Sequence, residues 1–209
     1  MRVLVVGGSG SGKSAFAEQL ACSLSSRRTY IATMENQGAE AQRRIARHRA
    51  QRAGLGFHTI ECPRALPVND WPFGTRPLSA TGSVGSGLQT ATDGVGWPKV
   101  PLPQSANGVV LVEDLGNLVA NALFTQDGFM LSPNTVVEDL TRNVLDFSRS
   151  YEHVVVVGNL VGCEGFSPNE STQAWVRAVG TLCCRLAADF DAVVEVTVGI
   201  PQVLKSELP

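Results

Sequence analysis

The sequence predicts an α/β fold, with a mostly parallel, doubly wound sheet and helices on both of its faces. Short apolar runs rich in β-branched residues recur along the 209 residues, as in strands that are buried on both sides. Segments with helical periodicity separate these runs, which is typical of parallel sheets with crossover helices. A glycine–serine stretch, residues 7–12, joins the first strand directly to the first helix. We therefore interpret residues 1–209 as one domain.

Strands and helices alternate regularly in the first part of the chain. The opening strand is a continuous aliphatic run, and the third alternates in polarity. Phe16, Leu20 and Leu24 are spaced four apart, which places them on one face of the first helix. In order, we predict strand 2–6, helix 14–25, strand 29–33, helix 40–52 and strand 57–61.

The second part of the chain shows the same alternation. Its first strand is purely aliphatic, and Pro133 suits the first turn of a helix because the N–H that proline lacks has no partner there. In order, we predict strand 109–112, helix 115–124, helix 133–151, strand 153–157, helix 169–188 and strand 192–198.

Residues 68–108 interrupt the pattern. They are rich in Gly, Pro, Ser and Thr and show almost no periodicity. About 40 residues of this kind are unusual inside a compact domain, so we interpret them as an inserted surface segment. Trp71, Phe73 and Trp97 could anchor parts of the insertion. A lid over a substrate is the functional alternative.

Composition excludes several classes of protein. The 17 Lys and Arg against 19 Asp and Glu leave a net charge of −2, so no overall basic field attracts nucleic acid or an anionic membrane. No apolar run reaches the length of a membrane-spanning helix. The five cysteines are odd in number and lack zinc-ligand spacing, which favours free thiols in a reducing compartment. We expect a cytoplasmic protein with no nucleic-acid partner and no membrane span.

Residues 7–14, GGSGSGKS, match the phosphate-loop pattern G-x-x-x-x-G-K-[ST] in full. Its glycines let backbone N–H groups turn toward phosphate oxygens, and the following helix offers its positive N-terminus to the same anion. Lys13 would neutralise charge on the β- and γ-phosphates, and the Ser14 hydroxyl is placed to ligate Mg²⁺. A plain Gly-Ser turn is the alternative. The position between a strand and a helix favours nucleoside triphosphate binding and a P-loop NTPase-like fold.

The predicted helix 40–52 carries arginines on both sides of His48. Arg44, His48 and Arg52 are four apart and therefore share a face. Neighbouring positive charges should lower the pKa of His48 and leave a neutral, nucleophilic imidazole, while the arginines hold phosphates. This face could carry a phospho- or nucleotidyl-histidine. A solvated basic face with an idle histidine is the alternative, and the spacing alone favours it.

Several segments together resemble one known family, the bifunctional adenosylcobinamide kinase / adenosylcobinamide-phosphate guanylyltransferase of cobalamin biosynthesis. The order and spacing agree over most of the chain outside residues 68–108. The phosphate loop alone is generic, whereas its combination with Y-I-A-T and R-I-x-x-H-R-x-x-R is specific. The resembling segments are 3–14, followed by Ala17 and Glu18, Y-I-A-T at 30–33, R-I-x-x-H-R-x-x-R at 44–52, T-x-E at 59–61, L-V-E at 111–113 continuing to Asn121, N-x-V-G at 159–162 and G-I-P at 199–201.

The resemblance implies two reactions on a corrinoid. ATP or GTP phosphorylates the aminopropanol hydroxyl of adenosylcobinamide. GTP then transfers GMP to a histidine, and the phosphorylated corrinoid takes it up to give adenosylcobinamide-GDP. His48 matches the nucleotidyl-acceptor position. The resemblance also implies a homotrimer.

Glu61 and Glu113 fall at the carboxyl ends of predicted strands, where open parallel sheets bind ligands. A carboxylate there can accept hydrogen bonds from guanine or ribose, or hold Mg²⁺ through water, although an idle exposed acid is the alternative. Thr33 ends the second strand at the same edge. We predict that Lys13 and His48 are catalytic and that Ser14 binds the metal. The predicted nucleotide-binding residues are Gly7, Gly8, Ser9, Gly10, Ser11, Gly12, Lys13, Ser14, Thr33, Arg49, Arg52, Glu61 and Glu113.

The chain also departs from the family pattern. Leu160 stands where the family has the acid of Thr-Asn-Glu, residues 183–184 are Cys-Cys in place of Asn-Gln, and Ala39 replaces an acid before the arginine helix. The loop 163–168 is altered, and Asp114 is an addition. These changes spare the phosphate loop and His48 but fall on the expected corrinoid side or on subunit contacts. A P-loop kinase of another small alcohol and a nucleotide-binding protein with degenerate catalysis are therefore the alternatives.

Overall fold

The structure is a computed structural model, and it describes residues 1–35, 38–67, 108–125, 128, 130–161 and 169–206. The predicted insertion, 68–108, lies outside these residues apart from Gly108. The altered loop 163–168 and Gly162 also lie outside them.

Every predicted strand and helix is present, with ends shifted by at most two residues. The strands are β1 Arg2–Gly7, β2 Arg28–Ala32, β3 Phe57–Glu61, β4 Val109–Glu113, β5 His153–Asn159, β6 Ala192–Thr197 and β7 Ile200–Ser206. The helices are α1 Lys13–Leu24, α2 Gly38–Gln51, α3 Leu115–Leu123, α4 Pro133–Arg149 and α5 Glu170–Asp189. Among these described helices, none is both long and apolar enough to cross a bilayer.

The strands form one seven-stranded sheet in the order β3-β2-β4-β5-β1-β6-β7. The first six strands in this order pair in parallel, and β7 runs antiparallel to β6. The sheet extends to both sides of β1, so the mostly parallel, doubly wound fold is confirmed. Because the strands are parallel, the ends of β1 to β6 meet at one edge, which we call the carboxyl edge.

Two apolar cores cover the sheet, one on each face. Val5 of β1 packs in the same core as Ala17 and Ala21 of α1. The next residue toward the chain start, Leu4, belongs to the opposite core, which includes Phe147 of α4 and residues of α3 and α5. Burial on both faces explains why the central strands are continuous aliphatic runs. The predicted helices on both faces are therefore confirmed.

The helix α1 buries small residues most deeply. Ala17 and Ala21 have no exposed surface, whereas Phe16, Leu20 and Leu24 are only partly buried at the margin of the same core. Small side chains allow close approach of a helix to a sheet. The phosphate loop at the start of α1 is therefore held close to the strand ends.

The strand β7 was not predicted. It follows a two-residue turn in which Val198 and Gly199 have φ values of 52° and 78°, as in the primed turns that join antiparallel strands. A β-branched residue such as Val198 rarely adopts a positive φ, so Gly199 is the one turn signal that this two-residue turn carries. Pro201 and the absence of clean alternation also conceal the strand. β7 leaves Ile200 and Val203 exposed at the edge of the sheet.

Candidate active site

The phosphate loop connects β1 to α1 at the carboxyl edge. Its first glycine is required by space, because a Cβ on Gly7 would lie 2.6 Å from the carbonyl oxygen of Val196. Its last glycine is required by conformation, because Gly12 has a φ of 89°. The N–H of Gly199, in the turn before β7, donates to the carbonyl oxygen of Ser11 over 2.7 Å. The loop is thus shaped by its own glycines and braced by the unpredicted hairpin.

Lys13 and Ser14 begin α1 directly after the loop. The Lys13 side chain is buried, and its Nζ donates to the carbonyl oxygen of Gly8 over 3.1 Å. The first turn of α1 contains no acidic residue, so the positive end of the helix dipole is not neutralised by its own side chains. Backbone N–H groups, a helix N-terminus and an ammonium group therefore converge on one place, an arrangement that suits a polyphosphate.

Ser14 and Glu113 meet across the sheet. The Ser14 hydroxyl donates to Oε1 of Glu113 at the end of β4, although β5 lies between β4 and β1. Glu113 is 8% exposed, and its other oxygen accepts a hydrogen bond from the Tyr30 hydroxyl over 3.1 Å. A hydroxyl and a carboxylate beside a phosphate loop are the hard oxygen ligands that Mg²⁺ prefers. The predicted metal residue Ser14 and the predicted acid Glu113 are therefore adjacent, and this pair fits Mg²⁺.

Thr33 lies at the carboxyl edge, but its side chain is fully buried. Its hydroxyl donates to the carbonyl oxygen of Asp114 over 2.8 Å and accepts from the N–H of Asp114 over 2.7 Å. Asn121 of α3 donates to the carbonyl oxygens of Thr33 and Pro63. These contacts hold the ends of β2 and β4 together. The nucleotide contact of Thr33 stays a prediction.

Asp114, the addition to the family pattern, has a structural role that the sequence analysis missed. Its Oδ1 accepts a hydrogen bond from the N–H of Asn117 over 2.8 Å, which caps the N-terminus of α3. An Asp immediately before an apolar helical run is a capping signal, so this role could have been predicted.

The arginines of α2 have different surroundings. Arg44 and Arg47 are exposed. Arg49 is also exposed, and its Nη2 lies 2.9 Å from Oε1 of Glu61 at the end of β3. Two residues that were predicted separately to bind nucleotide therefore contact each other.

Arg52 lies immediately after α2 and is only 7% exposed. Its N–H donates to the carbonyl oxygen of His48 over 3.2 Å, so it continues the helical pattern. Its guanidinium carbon lies 3.4 Å from the ring centroid of Tyr30. Nη1 lies 4.0 Å from Oε1 of Glu18 and has no hydrogen-bond partner among the described residues. Arg52 is thus enclosed between α1 and β2.

Glu18 of α1 is a buried acid that was not predicted as part of the site. It is 7% exposed, and its burial, together with the nearby Glu113 carboxylate, raises its pKa to about 7 against the opposing effect of Arg52. The signal was its position beside Ala17 and Ala21, the most deeply buried residues of α1. From the sequence alone, the larger apolar residues of α1 define its buried face, and the face that carries Glu18 is missed.

His48 is half-buried near the end of α2. Burial is the largest cause that lowers its pKa. Arg52, Arg47 and Arg44 lower the pKa further, whereas Glu113 raises it. The predicted direction is confirmed, although burial outweighs the arginines that were expected to cause it. The Nδ1 atom is buried without a hydrogen-bond partner in the described part of the chain.

The departures from the family pattern fall in different environments. Leu160 follows β5 and is 38% exposed, while its N–H donates to the carbonyl oxygen of Gly7 over 3.0 Å. Cys183 of α5 is buried, which raises its pKa to about 12, and it packs closely against Gly158. Ala39 and Cys184 are exposed. The backbone of an apolar residue, Leu160, therefore lies beside the first glycine of the phosphate loop.

A phosphate loop between a strand and a helix, facing a strand-end carboxylate across a parallel sheet, defines a P-loop nucleotide-binding protein. The model of the cobinamide kinase / cobinamide phosphate guanyltransferase family matches residues 3–69 and 98–204, and the chain belongs to this family. The stretch left unmatched, 70–97, lies within the predicted insertion. The resemblance inferred from the sequence is thereby confirmed.

Individual relatives match over shorter segments or weakly. The chain is 47% identical over 66 residues to the bifunctional adenosylcobalamin biosynthesis protein CobP of Pseudomonas aeruginosa strain PAO1. This match covers 32% of the chain and 38% of CobP, so it spans well under half of that relative. A structural match to the flagellar accessory protein FlaH of Methanocaldococcus jannaschii covers 98% of this chain and 78% of FlaH. Its TM-score is 0.36 at 10% identity, which is too weak to support an argument.

Proposed function

We propose that this chain phosphorylates adenosylcobinamide and then transfers GMP from GTP to the product through a guanylyl group on His48, giving adenosylcobinamide-GDP. The position of His48 carries the proposal. The Glu113 carboxylate accepts a hydrogen bond from Ser14 and is also close enough to raise the pKa of His48. This shared neighbour supports placing the phosphate loop and the histidine helix in one site at the carboxyl edge.

In the first reaction, the aminopropanol hydroxyl oxygen of the corrinoid attacks the γ-phosphorus of ATP or GTP. The bond from that phosphorus to the β-phosphate oxygen breaks, and the hydroxyl loses its proton. Lys13 and the N–H groups of residues 8–14 stabilise the charge on the transferring phosphates. Ser14 and Glu113 would hold Mg²⁺, which neutralises phosphate charge when it is bound.

In the second reaction, a nitrogen of neutral His48 attacks the α-phosphorus of GTP, and pyrophosphate leaves with the electron pair. A phosphate oxygen of the corrinoid then attacks the same phosphorus and releases the imidazole. We assign the attack to Nε2, because Nδ1 is buried. The lowered pKa supports this role, since it keeps the imidazole lone pair free near pH 7.

Arg49 and Glu61 are placed to meet the nucleotide. Both side chains are more than half exposed, and an exposed ion pair of this kind contributes only about 0 to 1 kcal/mol. A ligand can therefore replace the contact at little cost, with Arg49 turning to phosphate and Glu61 to guanine or ribose. Arg52 is much less accessible, so its predicted nucleotide contact requires a movement of α2 that exposes its guanidinium.

Incubation with Mg²⁺ and α-labelled GTP tests the central claim. The wild type should take up one acid-labile, base-stable label, as expected for a phosphorus–nitrogen bond. The label should be absent from His48→Ala and should persist in His58→Ala and His153→Ala, the matched controls on the other two histidines of the chain. Failure of the wild type to take label while it binds GTP would refute the guanylyl-histidine mechanism.

A kinase of another small alcohol is the second candidate, favoured by the apolar Leu160 beside the phosphate loop. Transfer of γ-label to adenosylcobinamide, followed by comparison with simple amino alcohols, separates the two candidates. Transfer to the amino alcohols but not to the corrinoid would establish the second. Nucleotide binding without any transfer would indicate degenerate catalysis.

We also propose that the chain assembles as a homotrimer. Exposed apolar residues on the edge strand β7 and in the turn before it support an interface between copies, because an unpaired sheet edge with apolar side chains favours contact with another chain. These residues are Val198, Ile200, Val203 and Leu204. Light scattering on the wild type and on Val203→Lys should show a trimer and a smaller species, respectively. A monomeric wild type would overturn this proposal.

A further inference from the structure

We propose that Tyr30 is a positioning residue for metal–nucleotide binding: its hydroxyl orients Glu113 toward Ser14, and its ring, covered by Arg52, links that orientation to the helix that carries His48. The inference deepens the proposed function and rests on it for the metal-binding role of Ser14 and Glu113. It assigns a role to a residue that neither the phosphate loop nor the arginine helix contains.

The backbone fixes where the Tyr30 hydroxyl can lie. Tyr30 is on β2, between β3 and β4, and pairs in register with Leu111, two residues before Glu113. Its ring is 4% exposed and belongs to the core on the α1 face. A tyrosine on this register position points its hydroxyl along the strand toward the carboxyl edge, where it meets Oε2 of Glu113 at 3.1 Å.

The direction of this hydrogen bond is defined. A phenolic hydroxyl carries a proton to donate, whereas an ionised carboxylate can only accept, so Tyr30 donates and Glu113 accepts. The carboxylate then has one donor on each oxygen, Tyr30 on Oε2 and Ser14 on Oε1. A carboxylate with a fixed donor on each of its oxygens is held in a single orientation. When the Ser14 hydroxyl turns to a metal ion, the Tyr30 hydroxyl is the remaining donor, among the residues that the structure describes, that maintains the orientation of the carboxylate.

The ring of Tyr30 connects this carboxylate to α2. The Arg52 guanidinium lies 3.4 Å from the ring centroid, a cation–π contact, and is enclosed with 7% exposure. The ion pair of Arg52 with Glu18 is long, at 4.0 Å, so the contact with the Tyr30 ring is the tighter of the two. The N–H of Arg52 is bonded to the His48 carbonyl oxygen. A displacement of the end of α2 therefore moves the Arg52 guanidinium relative to the Tyr30 ring.

The role of the Tyr30 hydroxyl can be tested by measuring the affinity for a fluorescent GTP analogue in excess Mg²⁺ and in EDTA. Tyr30→Phe keeps the ring and the Arg52 contact but removes the donor. We expect its affinity in Mg²⁺ to fall by about tenfold to a hundredfold, as for other partners that orient metal-binding groups, and its affinity in EDTA to stay within about twofold of the wild type. Tyr151→Phe is the matched control, because it removes the only other tyrosine hydroxyl, on the opposite face beside Phe147, and should change neither affinity.

Equal weakening in Mg²⁺ and in EDTA would show a merely structural role and overturn the proposal. Unchanged affinity of Tyr30→Phe in Mg²⁺, or a wild type whose affinity is the same in both media, would overturn it as well. The measurement needs no corrinoid and no transferred label. Absence of α-label on the wild type would therefore defeat the guanylyl mechanism while the Mg²⁺ dependence still decides the role of Tyr30.

A second variant tests the link to α2. Arg52→Met removes the cation but retains an unbranched side chain over the ring, and it should lower the affinity in Mg²⁺ by a smaller factor than Tyr30→Phe. If Arg52 acts through the ring, the double variant should bind Mg²⁺–GTP as weakly as Tyr30→Phe alone. If the double variant loses affinity by the product of the two single losses, the proposed link between Arg52 and the Tyr30 hydroxyl is overturned. Arg52→Gln, which also removes the charge but keeps a polar side chain, serves the same comparison if thermal unfolding shows that Arg52→Met is not folded.

Discussion

The phosphate loop and the last turns of α2 both bring positive charge to the carboxyl edge. They differ in how far apart in the sequence the residues are that hold each of them in place. Within the loop, the Nζ of Lys13 bonds to Gly8, five residues away. In α2, Arg49 bonds to Glu61 on β3, and Arg52 lies on Tyr30 of β2. The loop is shaped mainly by its own residues, with one brace from Gly199, whereas the arginines take their surroundings from other elements.

The difference teaches how far a motif can be trusted without a structure. A phosphate loop requires particular backbone angles and one lysine in a short stretch, so matching the pattern nearly guarantees the arrangement. A helix with several arginines does not require particular backbone angles or particular contacts for those side chains. The arginines here include exposed side chains, an exposed ion pair and a buried guanidinium.

The largest expected effect tests whether the two regions form one site. Lys13→Ala should reduce both γ-phosphate transfer and labelling of His48 by about a hundredfold or more, because it removes charge stabilisation worth several kcal/mol. His48→Ala should abolish only the labelling. Arg43→Ala, which removes an exposed charge from α2, is the control and should affect neither. Full labelling in Lys13→Ala would indicate a second nucleotide site for His48.

The next effect concerns Glu18, which lies between the two regions. Its pKa is about 7 in the folded chain against an ordinary value of 4.5, so the folded protein keeps a proton that the unfolded chain has lost between those values. The contribution of this group to stability therefore falls as the pH rises through that window. Glu18→Gln has no titrating group at this position, so its stability does not show this decrease. Its free energy of unfolding relative to that of the wild type should therefore rise by roughly 1 to 3 kcal/mol between about pH 5 and pH 8.

Urea denaturation at several pH values measures this difference. Glu138→Gln, an exposed acid on α4, is the control and should follow the wild type. A constant difference between Glu18→Gln and wild type across the window would contradict the raised pKa.

A smaller effect separates burial from charge at His48. Labelling should decline as the pH falls through the lowered pKa of His48, since protonation removes the attacking lone pair. Arg44→Ala and Arg47→Ala should each move this decline to higher pH, by less than about one unit because both arginines are exposed and screened. Rates of labelling measured across pH give the shift. The same decline in both variants as in wild type would mean that the two exposed arginines do not contribute to the lowered pKa, and Arg142→Ala on α4 controls for net charge.

The smallest effect is on the exposed pair of Arg49 and Glu61. A double-mutant cycle with alanine at both positions should give a coupling energy of at most about 1 kcal/mol in unfolding experiments. Loss of GTP affinity in each single variant, with stability unchanged, would support the proposed exchange of partners. A coupling well above this value would identify the pair as structural.

The predicted elements were found because each leaves a local signal. Central strands such as β4, which is aliphatic up to its final glutamate, are apolar because both faces are buried, and Pro133 begins α4 as expected. β7 left only a weak signal, because an exposed edge strand needs no apolar pattern and the first position of its turn is Val198, where glycine or asparagine is usual. That strand nevertheless braces the phosphate loop through Gly199 and Ser11.

The sequence by itself determined the α/β fold, the phosphate loop with Lys13 and Ser14, and the resemblance that family membership confirmed, because local periodicity and one contiguous motif carry them. Only the tertiary structure decided that Ser14 contacts Glu113, that Glu18 and Arg52 are buried together, and that Tyr30 bonds to the carboxylate. The physical reason is distance along the chain. Contacts between residues separated by 30 to 100 positions depend on strand order and helix packing, which no local pattern encodes.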